Sequence, residues 1–124
     1  MKRAIITALL LSATWLQAGA IKDGDAVRAI IGEAANQGDD GMLAVAAAIR
    51  NRGTLKGVYG YKAKHVDTQP AWVWAKARRA WAMSATNDPT RGATHWENIK
   101  AFGQPYWAKS LTVTTNIGDH RFYK

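Results

Sequence analysis

Apolar side chains recur at helical spacing through the first half of this chain and give way to alternation in its last third. Val27, Ile30, Ile31 and Ala34 share one stripe of a helix over residues 25–37. Met42, Val45, Ala46 and Ile49 share one stripe of a second helix over residues 41–52. Asp23 or Asp25 is expected to cap the first helix and Gly38 to end it; Asp39 and Asp40 should cap and charge the start of the second, and Gly53 should stop it. So short a link makes an αα-hairpin. Residues 53–69 are polar and glycine-containing and read as loop. Pro70 suits the first turn of a third helix to about residue 85, with Trp74, Ala77 and Trp81 on one face, before Asn87-Asp88-Pro89 breaks it. Residues 92–97, 111–117 and 118–124 then read as strands. Helices first and strands last predict an α+β fold: three helices followed by a small antiparallel β-sheet.

The N-terminus is predicted to stand outside that fold. Lys2 and Arg3 precede an apolar run over residues 4–16, and Ala18 and Ala20 supply the small side chains of a cleavage site, so residues 1–20 read as a signal peptide. The run is shorter than the ~20 residues that span a bilayer, so no stable membrane insertion is expected after cleavage. The expectation is a single domain, residues 21–124, secreted or held in the periplasm or cell envelope. The full chain has 124 residues, too few for a two-domain enzyme, and carries a formal charge of +8, two units of which leave with Lys2 and Arg3. A cationic exported domain is drawn to anionic polymers such as cell wall. With no cysteine, disulfides, thiol nucleophiles and cysteine-based zinc sites are excluded, and stability falls on the core.

Only two glutamates occur, Glu33 and Glu97. Glu33 lies within the first helix, in Ile31-Gly32-Glu33-Ala34-Ala35, at the edge of the apolar stripe. A carboxyl flanked by apolar and small side chains loses hydration, holds its proton to higher pH and can protonate a glycosidic oxygen, while Gly32 and Ala34 let a bulky polymer approach. A solvated boundary glutamate is the plainer alternative. His65, His95 and His120 with a carboxylate would suffice for zinc, but no HExxH or closely spaced pair is present, and neither metal nor cofactor is expected. Trp74, Trp81 and Trp96 are expected in the core, whereas Tyr59, Tyr61 and Trp107 are better placed to line a groove. Lys76, Arg78 and Arg79 read as a solvated helix face. No phosphate-binding glycine loop and no GxSxG elbow is present.

The stretch IIGEAANQGDDGMLAVAAAIRNR, followed by DPTRGATHW and closed by IGDHRFYK, resembles the SleB/CwlJ-type cell wall hydrolases. The resemblance runs from about Val27 to Lys124 with three motifs in the family's order. It implies a small α+β domain related to lysozyme and transglycosylase folds, acting on peptidoglycan. The glutamate of the family's G-E-A motif carries over to Glu33 as the catalytic residue. The A-V-A-x-x-I-x-N-R helix brings Asn51 and Arg52 forward as groove residues. The D-P-T turn and G-x-H-x-F segment bring forward Thr94, His95, His120 and Phe122 as substrate-binding residues. The chain departs from the family at Arg91, where a second glycine is common, and in HVDTQPAWVW, where Gln69 and Trp72 stand in for a glutamine and an aromatic near the groove.

The implied reaction is cleavage of the β-1,4 bond between N-acetylmuramic acid and N-acetylglucosamine, with Glu33 as general acid and then base of a lytic transglycosylase. One carboxylate suffices for that route; a hydrolase wants a second, and Asp39, Asp40, Asp67, Asp119 and Glu97 are the candidates. An N-acetylmuramoyl-L-alanine amidase, which would normally need zinc, and a non-catalytic wall-binding protein are the alternatives. A monomer is expected, with peptidoglycan as partner and no nucleic acid.

Overall fold

The computed structural model describes residues 20–124, so the expected signal peptide falls outside the described residues except for Ala20. Three helices, α1 (Asp23–Ala34), α2 (Gly38–Arg52) and α3 (Ala71–Met83), precede a three-stranded sheet. Its strands are β1 (His95–Asn98), β2 (Val113–Ile117) and β3 (His120–Tyr123), with a single-turn helix α4 (Ile99–Phe102) after β1. The sheet order is β1-β3-β2, antiparallel throughout, and Trp96 stands opposite Phe122. A bulge interrupts β2 between Val113 and Thr115. The α+β fold expected from the change of periodicity is the fold observed.

Helix α2 is central. From Gly41 to Ile49 every residue but Leu43 is buried, because α1, α3 and the sheet cover it on different sides. Its alanines (Ala44, Ala46, Ala47 and Ala48) let those neighbours approach closely. Ile30, Ile31, Val45, Ile49 and Phe122 fill the space between them. Trp81 and Trp96 are in the core as expected, while Trp74 is only partly buried against it. Among the described residues no helix is long and apolar enough to cross a membrane.

The helix ends depart from expectation. Neither Asp23 nor Asp25 caps α1; Lys22 holds the N-cap position without a side-chain bond, and Asp23 instead accepts from the Trp81 indole at 2.8 Å. Helix α1 stops at Ala34 rather than residue 37, and α2 begins at Gly38 rather than 41. Asp39 and Asp40 sit in the first turn of α2, where they favour its dipole but cap nothing. Gln37 takes the N-cap position, yet its amide points to the β2–β3 turn: it accepts from the Asp119 N–H at 3.0 Å and donates to Asp119 Oδ2 at 3.1 Å. A tertiary bond thus replaces the local cap. Gly53 ends α2 as expected, in the left-handed conformation at φ 74°.

Residues 53–69 are more ordered than loop: two 3₁₀ turns, Gly60–Lys62 and Lys64–Val66, lie against α1. The first strand begins at His95 rather than residue 92, because Gly92 belongs to the turn that Asp88 organises. Asp88 accepts from the Thr90 N–H and hydroxyl, the Gly92 N–H and the Asn51 amide. Arg91, in the place where a glycine is common, takes a positive φ of 59°.

Candidate active site

Glu33 projects from the last turn of α1 towards the first 3₁₀ turn. Gly32 makes this approach: a Cβ there would overlap the Gly60 carbonyl. Gly60 makes it from the other side, since a Cβ on it would lie 2.5 Å from Glu33 Oε2 and 2.8 Å from Glu33 Cγ. Two glycines therefore let two backbones close on one carboxyl. From β1, the Trp96 indole donates to Glu33 Oε1 at 2.9 Å.

Burial pushes the Glu33 carboxyl above the ordinary value of 4.5, and the charge of Glu97 adds to that. The Trp96 hydrogen bond, the Gly60 N–H and the nearby Arg52 charge pull the other way without reversing it. The result is an acid that keeps its proton to higher pH than a solvated glutamate, as the flanking apolar residues led us to expect.

Glu33 opens onto a cleft of about 450 Å³ whose walls include Asn36, His65, Gln69 and Trp72. Trp72 is 61% exposed, with the Lys76 ammonium 5.4 Å from its ring centroid. Gln69 is steadied by donating to the His65 carbonyl at 3.1 Å. A cleft of similar volume, about 470 Å³, lies between the start of α1 and the end of α3, lined by Trp74, Trp81, Arg50 and Arg78, and does not include Glu33.

The other residues expected to bind substrate lie away from this cleft's lining and make bonds of their own. Asn51 donates to Asp88 Oδ2 and the Ala93 carbonyl, each at 3.0 Å, fastening α2 to the turn. Arg52 donates to the Thr94 carbonyl at 3.3 Å and the Lys56 carbonyl at 2.6 Å. The Thr94 hydroxyl bonds His95 Nδ1 at 2.9 Å, and the His95 ring packs on Trp107, centroids 5.4 Å apart. Burial, helped by the Arg52 charge, lowers the His95 pKa. Phe122 is wholly buried and His120 is 4% exposed, so neither presents a surface to a ligand. His120 supports the site from beneath, with the Glu33 backbone facing its ring. Of the residues expected in a groove, Tyr59 is exposed beside Gly60, Tyr61 packs against the core, and Trp107 is held edge-on to Tyr123.

Sequence reasoning missed three contributors. Trp96 was expected only as core filler, Gly60 as one loop glycine among several, and Gln37 as a helix end. No local pattern distinguishes them, because each acts on a residue distant in the chain. Among the described residues, no three of His, Cys, Asp or Glu gather closely enough to hold a metal ion.

No family model and no curated protein matches the chain. Solved structures do. The catalytic domain of the germination-specific lytic transglycosylase SleB from Bacillus anthracis matches with a TM-score of 0.62 and 25% identity, over 82% of this chain and 93% of that one. The catalytic domain of the SleB protein from Bacillus cereus matches with a TM-score of 0.57 and 23% identity, over 85% of this chain and 92% of that one. The resemblance carried by the three motifs is thus matched in three dimensions, and the chain is SleB-like in fold over more than four-fifths of its length.

Proposed function

We propose that this protein degrades peptidoglycan by cleaving the β-1,4 bond between N-acetylmuramic acid and N-acetylglucosamine, as a lytic transglycosylase with Glu33 as acid and base. The observation that carries this reading is the Glu33 carboxyl itself: desolvated, with a raised pKa, and opening onto a cleft between Trp72 and Gln69. Its likeness to a catalytic domain described as a lytic transglycosylase supports the same class.

Glu33 donates its proton to the bridging oxygen as that bond breaks and positive charge develops on the muramyl ring. The resulting carboxylate takes the proton of the muramyl 6-hydroxyl while its oxygen attacks the anomeric carbon, giving a 1,6-anhydro product and returning Glu33 to its starting form. Trp72 offers a stacking face for a sugar ring and Gln69 an amide for its polar groups. In the same reading residues 1–20 direct export, which brings the enzyme to its substrate.

One observation favours a second reading, a hydrolase. Of the carboxylates considered as a second group, Glu97 is the one whose charge reaches Glu33. Asp67 is paired with Arg28 at 2.7 Å, and Asp119 is clamped by Gln37. Mass spectrometry of muropeptides released by the wild-type protein and by Glu33→Gln decides between these. Anhydro-muropeptides that disappear in the variant are the expected result. Reducing-end products would convert the enzyme to a hydrolase, free stem peptides to an amidase, and no products at all would leave a wall-binding protein.

A further inference from the structure

The role of Trp96 in turnover rests on the reading of Glu33 as the acid; its hydrogen bond to Glu33 does not. Trp96 is 8% exposed, on a strand where it pairs with the wholly buried Phe122. Packing therefore fixes the indole plane, and a buried indole N–H requires an acceptor. That acceptor is Glu33 Oε1, at 2.9 Å. The last torsion of a glutamate is otherwise broad and nearly two-fold, so its two oxygens exchange easily. The rigid indole donor removes that freedom at Oε1. On the other side, Gly60 has no Cβ, and the missing atom would have stood 2.5 Å from Oε2.

We propose that Trp96 is a positioning residue: its indole N–H anchors Glu33 Oε1 and leaves Oε2, beside the bare backbone of Gly60, as the oxygen that carries the transferable proton. Other groups face the carboxyl as well. They are Glu97 beside Trp96 on β1, Arg52 at the end of α2, the Gly60 N–H, and His120 against the Glu33 backbone from β3. His65 lies across the cleft. All of these remain in Trp96→Phe, which keeps an aromatic ring in the core and removes the five-membered ring together with its N–H.

The sign is fixed by the bond. A donor favours the charged carboxylate, so its loss raises the pH at which Glu33 gives up its proton. Because the chain has only two glutamates, carbon-13 labelling of glutamate gives two side-chain carboxyl resonances, and Glu97→Gln assigns them. In Trp96→Phe the Glu33 titration midpoint is expected to rise by about one pH unit. On peptidoglycan the same variant should lose roughly tenfold in kcat with KM unchanged, and its high-pH limit should move upward. An unmoved Glu33 midpoint in folded Trp96→Phe would overturn the proposal. Should that variant fail to fold, the wild-type indole N–H resonance serves: it must shift with the Glu33 midpoint and cease to titrate in Glu33→Gln. An indole resonance indifferent to Glu33 overturns the proposal equally. The titrations need no substrate, so failure of the peptidoglycan reading is seen separately, as absent turnover with both titrations intact.

Discussion

Two carboxylates, Glu33 and Asp88, each lie at the junction of a helix and the sheet, and they are treated oppositely. Asp88 accepts four hydrogen bonds, from the Thr90 N–H and hydroxyl, the Gly92 N–H and the Asn51 amide. Partial desolvation pushes its pKa up, but those donors outweigh it and hold the carboxyl below 3.8. Glu33, more deeply placed, has the Trp96 indole and the Gly60 N–H, and burial wins. A carboxylate saturated with donors is a fixed anion that organises a turn. One left short of donors in an apolar setting retains its proton and can give it away.

The sharpest way to break this contrast is Glu33→Gln. We expect muropeptide release to fall by about 10²–10⁴-fold, the range a positioned general acid supplies. The raised pKa means that Glu33 stabilises the fold most fully below 4.5 and less as pH rises through its folded value. Thermal unfolding near neutral pH should therefore show Glu33→Gln at least as stable as wild type. An inactive variant that also unfolds early would make Glu33 structural after all.

Gly60→Ala comes next. Its new Cβ would press on the carboxyl and displace it, and a misplacement of about 1 Å costs on the order of 10²-fold in rate. Circular dichroism beside the activity assay would separate displacement from unfolding.

Asp88→Ala should do the reverse of Glu33→Gln. Loss of its hydrogen bonds is expected to cost about 2 kcal/mol in chemical denaturation while turnover per folded molecule persists. With a lowered pKa, the stability Asp88 contributes is full above 3.8 and fades as pH falls through the folded value. The variant and wild type should therefore converge in stability under strong acid.

The smallest effect is expected from Arg91→Gly. Relief of the left-handed conformation at φ 59° is expected to raise stability by about 0.5–1 kcal/mol, visible as a small gain in Tm.

The periodicities of Val27–Ala34 and Met42–Ile49, and the shift to alternation after Pro89, specified the α+β class because burial of a continuous stripe depends on local spacing. Glu33 stood out for the same reason, at the edge of that stripe, but its sequence neighbours left a solvated boundary glutamate open until Gly60 and Trp96 closed on it. The helix N-caps were not legible, since Asp23 bonds Trp81 and Gln37 bonds Asp119, and neither partner is near in the chain. The motif residues Asn51 and His120 stood out by type and spacing, but those features do not reveal that Asn51 holds the Asp88 turn or that His120 is buried.

The sequence by itself therefore determined the order of elements, the reliance on one cysteine-free core and the place of Glu33 at the edge of an apolar stripe. Tertiary structure alone decided which groups meet that carboxyl. Trp96 reaches it from a strand 63 positions away, and Gly60 from a 3₁₀ turn, where the missing Cβ matters only because the Glu33 side chain lies against it. Hydrogen bonding and close approach are properties of positions in space, and the chain order of Gly32, Glu33, Gly60 and Trp96 contains no local trace of their meeting.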